Sequence, residues 1–264
     1  MAINDNFLRN SVLAACMLWT GLNAQASVFI ADAFATGETP RAVGQPLLAT
    51  VTPTGSATWV GGVSPVFTAS NAVGFNTDAT SSNGASFVAF VPLTGAPAGN
   101  KIVTVQAEAD FKGNDWGSVQ FSNVGNDVFK SDLLLSYHQD KTDPTLGHYI
   151  IWSNDFAAQL TSGNMTGNAG SNLLKLSYDM ESNKASAWIN NTQVMNGVTL
   201  AYTPVLSYAG FGAYDTNYRT PAATWVDNFQ VDVVVVPEPG AISLLVLGGV
   251  LACSRFRKTS PRRR

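Results

Sequence analysis

Residues 27–236 of the 264-residue chain read as an all-β, antiparallel two-sheet sandwich, and three observations lead to that class. Apolar and polar residues alternate with period two from Ile102 to Phe111 and again from Leu174 to Ile189, as a strand with one buried and one solvated face requires. No apolar stripe recurs at helical spacing, and links rich in Gly, Asn, Ser and Asp separate the short apolar runs, as expected of a sandwich or barrel. Few charges and abundant Gly, Ser, Thr, Asn and Ala suit two packed sheets. A region of about 210 residues can build one core without staples.

In chain order, the first strand candidates are Val28 to Phe34, Val66 to Phe75 and Ser86 to Val91. In the next, Val103, Val105, Ala107, Ala109 and Phe111 share one face, while Thr104, Gln106, Glu108 and Asp110 share the other. Gly117 to Ser122, Leu133 to His138 and Tyr149 to Ser153 follow. Leu174, Leu176, Tyr178 and Met180 alternate with Lys175, Ser177 and Asp179 up to a turn at Glu181-Ser182-Asn183. Ala185, Ala187 and Ile189 then alternate with Lys184, Ser186 and Trp188, which makes a hairpin. The pair Asn190-Asn191 tolerates φ > 0 and leads into Thr192 to Met195, extending the hairpin to a three-stranded meander. Val205 to Ala213 and Trp225 to Val235 complete the set.

The two ends have a different character. Residues 1–26 have a polar start with Arg9, an apolar stretch from Val12 to Leu22 and the small-x-small pattern Ala24-Gln25-Ala26. This is a signal peptide, with signal peptidase as its partner and Ser27 as the mature N-terminus. Leu13-Ala14-Ala15-Cys16 offers a competing lipobox reading, although only Ser11 to Leu13 would precede it as hydrophobic region. At the other end, residues 237–264 carry Pro237-Glu238-Pro239-Gly240, an apolar run from Ala241 to Cys253, and Arg255, Arg257, Lys258, Arg262, Arg263 and Arg264. A helical run of that length spans about 20 Å, short of the roughly 30 Å hydrocarbon core, so it is a marginal membrane anchor. The basic cluster is a cytoplasmic stop that leaves everything before Pro237 outside. The two prolines keep the motif extended and accessible to a processing enzyme.

Without these ends, residues 27–236 hold 16 acidic against 8 basic residues, a net charge of −8. Nucleic-acid binding by phosphate neutralisation is excluded on that balance. Both cysteines, Cys16 and Cys253, fall in the terminal segments, so the region between them contains no disulfide. No Gly-x-Ser-x-Gly, His-Glu-x-x-His, P-loop or dinucleotide motif occurs. His138 and His148, with Asp140 and Asp143, flank the loop from Gln139 to Gly147. These are metal-ligating and proton-transferring residue types whose spacing the loop leaves open.

The Pro-Glu-Pro motif, apolar run and basic end together resemble the PEP-CTERM family of bacterial surface and exported proteins. That resemblance implies recognition and cleavage of the tail by an exosortase-type membrane protease. A second resemblance rests on Ala31-Asp32-Ala33-Phe34, on Leu174 to Asp179 turning into Ala187-Trp188-Ile189-Asn190-Asn191, and on Thr224 to Val231. These segments look like the concanavalin A-like jelly rolls of the LamG-like type, which implies that the first and last strands pair and bring Phe34 near Phe229.

The jelly-roll resemblance raises two functional classes. Glycosidases of that fold carry Glu-x-Asp-x-(x)-Glu on a strand, and Glu108-Ala109-Asp110-Phe111 begins the pattern. Lys112 and Gly113 stand where the second glutamate belongs, and a retaining mechanism needs both carboxylates. The other class is glycan binding, with aromatics stacking on sugar rings and Asp or Asn holding hydroxyls or Ca²⁺. Its candidates are Asp115, Trp116, Tyr149, Trp152, Tyr214 and Tyr218, together with Glu108 and Asp110. The resulting expectation is an exported envelope or extracellular-matrix protein that is not an enzyme and needs no cofactor, with two roles open to it: binding exopolysaccharide or another glycan, or serving as a structural constituent of the matrix with no small ligand of its own. A secreted polysaccharide-active enzyme is the alternative.

Overall fold

The computed structural model describes residues 27–236 apart from 38–39, 75–84, 98, 100, 111–115, 128–129, 141–142, 144, 169 and 216–224. Ala24, Ala26, the Pro237-Glu238-Pro239 motif and its apolar run, Asp115 and Tyr218 lie outside the described residues. Among the described residues no helix is long and apolar enough to cross a membrane.

The strands are β1 (Ser27–Asp32), β2 (Val60–Gly61), β3 (Val66–Phe67), β4 (Val73–Gly74), β5 (Ala85–Pro92), β6 (Lys101–Asp110), β7 (Trp116–Ser122), β8 (Ser131–Gln139), β9 (Leu146–Ser153), β10 (Ala158–Thr166), β11 (Asn172–Asp179), β12 (Lys184–Ile189), β13 (Thr192–Thr199), β14 (Tyr208–Asp215) and β15 (Trp225–Val235). They form two antiparallel sheets. One has eight strands in the order β13-β12-β11-β6-β15-β4-β3, with β1 also on β15; the other has seven in the order β10-β9-β8-β7-β14-β5-β2. The first and last strands do pair, with Asp32 opposite Phe229.

Alternation produces the core. Val103, Val105, Ala107 and Ala109 of β6 and Leu174, Leu176 and Tyr178 of β11 face Val119 and Phe121 of β7, Leu133, Leu135 and Tyr137 of β8, and Ala209 and Phe211 of β14 within one buried cluster. The expected turn at Asn190-Asn191 has φ of 49° and 67°, positive at both positions as a tight hairpin needs. On β15, Asn228 at φ 49° sits in a register shift between Asp227 and Gln230. That bulge lets β15 pair with β4 through Trp225 and Val226 and with β1 beyond it.

Three expectations are corrected. The run from Val66 to Phe75 is two short strands, β3 and β4, because Asn71 at φ 55° turns the chain between them. The strand expected from Val205 starts at Tyr208. Strand β10 escaped sequence reading altogether, since AQLTSGNMT carries no apolar alternation. As the last strand of its sheet it is mostly exposed, and the two residues it packs against the core, Leu160 and Met165, lie five apart across a register shift, out of step with a period of two.

A buried carboxylate ties β1 to the chain that follows it. Asp32 is 1 % exposed and accepts two bonds from the Arg41 guanidinium, Nη1 to Oδ1 at 2.9 Å and Nη2 to Oδ2 at 2.6 Å. It also accepts the Trp59 indole N–H at 2.9 Å and the Phe34 backbone N–H at 2.9 Å. The last bond holds Phe34 at φ 48°, a left-handed conformation that costs a non-glycine residue roughly 1–2 kcal/mol. Elsewhere in the core, the Tyr137 hydroxyl is buried without a hydrogen-bond partner among the described residues, and burial pushes its pKa up to about 12. Gly147 and Gly167 lie against it, and a Cβ on Gly167 would stand 2.1 Å from Tyr137 Oη but no closer than 3.3 Å to anything else.

Replacing Asp32 with alanine strands the Arg41 charge and the indole N–H. The expected loss is about 3–5 kcal/mol of unfolding free energy, read from urea denaturation. Gly167→Ala should cost about 1–3 kcal/mol through overpacking, and Tyr137→Phe, which removes only an unpartnered hydroxyl, should be close to neutral alone. In the double variant most of the Gly167→Ala cost should vanish; additive losses in denaturation midpoints would refute the assigned contact.

Candidate functional site

On the outer face of the seven-stranded sheet the registers align side chains in rows across the strands. One row runs through Tyr214 and Trp116, which are directly opposite, then His138 opposite His148 and His148 opposite Asn164. The next row, two residues along each strand, holds Gly212, Ser118, Ser136 and Ile150. A third holds Gly210, Gln120, Leu134 and Trp152. Rows two residues apart along a strand are about 7 Å apart. Large rings therefore flank a middle row of small residues, and the result is a trough of ≈ 400 Å³. Trp116 and Tyr214 wall one side, and Trp152 and Phe156 wall the other, over Ser118, Ser136 and Gly212.

The far wall is built by an unusual turn. Asn154, Asp155 and Phe156 between β9 and β10 have φ of 53°, 53° and 65°. Three consecutive left-handed residues store strain that surrounding contacts must hold. The Asn154 N–H bonds to the Tyr202 hydroxyl at 2.9 Å, the Asp155 N–H bonds to Ser131 O at 3.0 Å, and the Phe156 ring lies 5.6 Å from Trp152. On the same face, Gln120 Nε2 and Asp132 Oδ2 are buried without hydrogen-bond partners among the described residues. Burial raises the Asp132 pKa and the nearby Asp155 charge adds to this, against a bond from the Val205 N–H.

At the near wall, Trp116 packs on His138 with centroids 4.0 Å apart and meets His148 at 5.9 Å. Burial lowers the His138 pKa; the Gln139 carbonyl opposes the shift, the charge of His148 adds to it, and that of Asp140 opposes it. The carboxylates expected beside the histidines serve the turn instead. Asp140 Oδ1 accepts the Asp143 N–H at 3.0 Å, and Asp143 Oδ1 accepts the Thr145 N–H at 3.0 Å and hydroxyl at 2.6 Å. Among the described residues no group of three or more His, Cys, Asp or Glu side chains is clustered to hold a metal ion.

Of the sequence candidates, Trp116, Trp152 and Tyr214 come together in the trough. Tyr149 does not, because alternation along β9 sends it to the opposite face from His148, Ile150 and Trp152, where it packs against the core cluster. Glu108 and Asp110 belong to the other sheet. Glu108 faces outward and accepts a bond from the Ser171 hydroxyl at 3.4 Å, whereas Asp110, expected on the solvated face, is 4 % exposed where Trp225 stands opposite it. The carboxylate that sequence reading could not supply is Asp227, directly across from Glu108 on β15. Burial raises the Asp227 pKa, the Asn228 N–H counteracts this, and the charges of Glu108 and Asp32 push it up further. Sequence reasoning also missed Ser118, Leu134, Ser136, Phe156 and Gly212, because a trough floor is defined by cross-strand register and leaves no local pattern.

No family model matches the chain, and no curated protein is significantly similar to it in sequence. Among solved structures it is similar to the CBM2 module of the evolved Dit of Lactobacillus casei BL23 phage J-1, at 10 % identity over 81 % of this chain and 98 % of that one, with a TM-score of 0.51. It is also similar to the exoplasmic/lumenal domain of VIP36 in its Ca²⁺/Man-bound form, at 10 % identity over 73 % and 90 % of the two chains with a TM-score of 0.47. The carbohydrate recognition domain of Emp47p gives 11 % identity over 63 % and 84 %, with a TM-score of 0.45. At such identities the likeness is one of fold, and the fold is the two-sheet jelly-roll sandwich.

The raised Asp227 pKa carries a sign. Between its ordinary value of 3.8 and the folded value, the folded state holds a proton that the unfolded chain has released, so stability falls as pH rises through that window. Asp227→Asn keeps the acceptor for the Asn228 N–H. It should raise the thermal midpoint at about pH 7 and leave it unchanged at about pH 3; an equal shift at both would rule out the electrostatic cause.

Proposed function

We propose that the chain is an exported, non-enzymatic carbohydrate-binding protein of the cell envelope or extracellular matrix, and that the trough on the seven-stranded sheet is its glycan site. The observation that carries this is the pairing of aromatic walls, Trp116 and Tyr214 against Trp152 and Phe156, with a floor of serines and glycine. Aromatic faces stack on the apolar faces of sugar rings, and hydroxyl-bearing floor groups meet ring hydroxyls. A net charge of −8 over residues 27–236 favours neutral glycans over polyanions. The jelly-roll fold is consistent with this reading, and its neighbour is named as a CBM2 module. Export rests on Ala24-Gln25-Ala26 at one end and on the Pro237-Glu238-Pro239 tail at the other, with signal peptidase and an exosortase-type protease as the processing partners. The alternative, polysaccharide hydrolysis at Glu108, would use Asp227 opposite it as the second carboxylate and would place the chemistry on the eight-stranded sheet, away from the aromatic trough.

A glycan array probed with the full chain tests the reading. Trp116→Ala and Trp152→Ala should each weaken the best binder about tenfold or more, in line with roughly 1–3 kcal/mol for a lost aromatic contact in a buried site. Trp188→Ala, on the other sheet beside Lys175, should leave binding intact. Binding that survives both trough variants would remove the site, and turnover of a polysaccharide abolished by Glu108→Gln would favour the enzyme.

A further inference from the structure

The chain contains two histidines, and the fold sets them face to face. His138 on β8 and His148 on β9 are directly opposite, with ring centroids 5.5 Å apart. Each ring has one nitrogen engaged. His138 Nδ1 lies 3.1 Å from the Gln139 backbone oxygen, and His148 Nδ1 lies 2.7 Å from Asn164 Oδ1. The Gln139 backbone oxygen can only accept, so Nδ1 of neutral His138 carries the proton and the lone pair is on Nε2; His148 takes the same tautomer where Asn164 presents its Oδ1 to the ring. An oxygen holding the distal N–H is the usual outer support of a metal-binding imidazole, because it sets the tautomer and the ring orientation.

The separation fits a shared ion. A metal–nitrogen bond of about 2.0–2.1 Å and about 1.1 Å from that nitrogen to the ring centre place an ion about 3.2 Å from each centroid. Two rings at a tetrahedral angle around it then have centroids about 5.2 Å apart, within a few tenths of an ångström of the observed 5.5 Å. We propose that His138 and His148 form a two-imidazole binding site for a first-row divalent transition metal of the copper, nickel or zinc class, roofed by Trp116. The donor set is nitrogen, which excludes calcium and magnesium as preferred occupants. With no third His, Cys, Asp or Glu clustered there among the described residues, the remaining coordination positions belong to water or to a ligand atom. The site does not depend on the glycan reading, although it shares Trp116 with the trough.

The test is titration of the full chain, carrying Cys16→Ser and Cys253→Ser to remove thiol ligands, with copper(II), nickel(II) and calcium chlorides. Calorimetry and intrinsic tryptophan fluorescence supply the two readouts. One saturable equivalent of copper or nickel is expected, copper binding tighter, with quenching of Trp116 and no calcium binding at the same position. His138→Ala and His148→Ala should each weaken binding about tenfold or more, and Asn164→Ala, which removes an outer support, should weaken it about tenfold. Copper added to the unaltered chain should broaden the NMR signals of both imidazoles and the Trp116 indole together, a readout independent of whether any variant folds. Affinity unchanged by loss of either histidine, broadening of one ring alone, or absence of saturable binding would each overturn the proposal.

Discussion

The carboxylate of Asp32 is the point on which the sandwich closes. A charge that is 1 % exposed is tolerable only when its lone pairs are occupied, and here Arg41, the Trp59 indole and the Phe34 N–H occupy them. The bond to the indole sets the position of the largest core side chain. Trp59 then lies 4.9 Å from Phe229 of the eight-stranded sheet, 5.3 Å from Phe211 of the seven-stranded sheet, and 5.7 Å from Phe34. One ring therefore joins both sheets to the first strand, and Arg41 carries the connection outward to the Val51 carbonyl at 2.8 Å and across the Phe67 ring. Dispersion and burial supply most of the stabilisation of such a cluster. The polar bonds decide its orientation.

The outer faces of the two sheets differ in kind. The outer face of the eight-stranded sheet carries polar pairs: Thr104 with the buried Ser177, Gln230 with Asp232, and Lys175 over Trp188. Each is a cross-strand or same-strand pair of modest net strength that serves solubility. The seven-stranded sheet instead exposes rings on either side of a row of small residues. An apolar concavity of this kind is unfavourable in an isolated domain, and the strained turn at Asn154 to Phe156 adds to its cost. Unfavourable surface and stored strain thus coincide on one face of the molecule.

The near wall of the trough joins two chemistries. Trp116 supplies an aromatic surface, and the two imidazoles packed beside it have Nδ1 held by Gln139 and Asn164. Under the two proposals above, a ligand stacked on Trp116 and an ion between the imidazoles would share that side chain, and each would then alter the affinity for the other.

Strands that bury one face are written into the order of residues, because period-two alternation is the direct imprint of a half-buried strand. Residues 102–110 and 174–189 are legible for that reason, as is the turn at Asn190-Asn191, whose positive φ values few residues accept. The candidate rings Trp116, Trp152 and Tyr214 were legible as residue types beside strands. Which of them meet follows from strand pairing, since membership of the trough depends on cross-strand register and on which face each side chain takes. A shift of one residue would exchange Tyr149 for its neighbours His148 and Ile150. The same holds for the edge strand β10, whose two core contacts, Leu160 and Met165, do not alternate, and for Asp227 opposite Glu108, which are far apart in the chain and adjacent only across a ladder. Local pattern encodes burial; partnership between distant residues is encoded only in the pairing of strands.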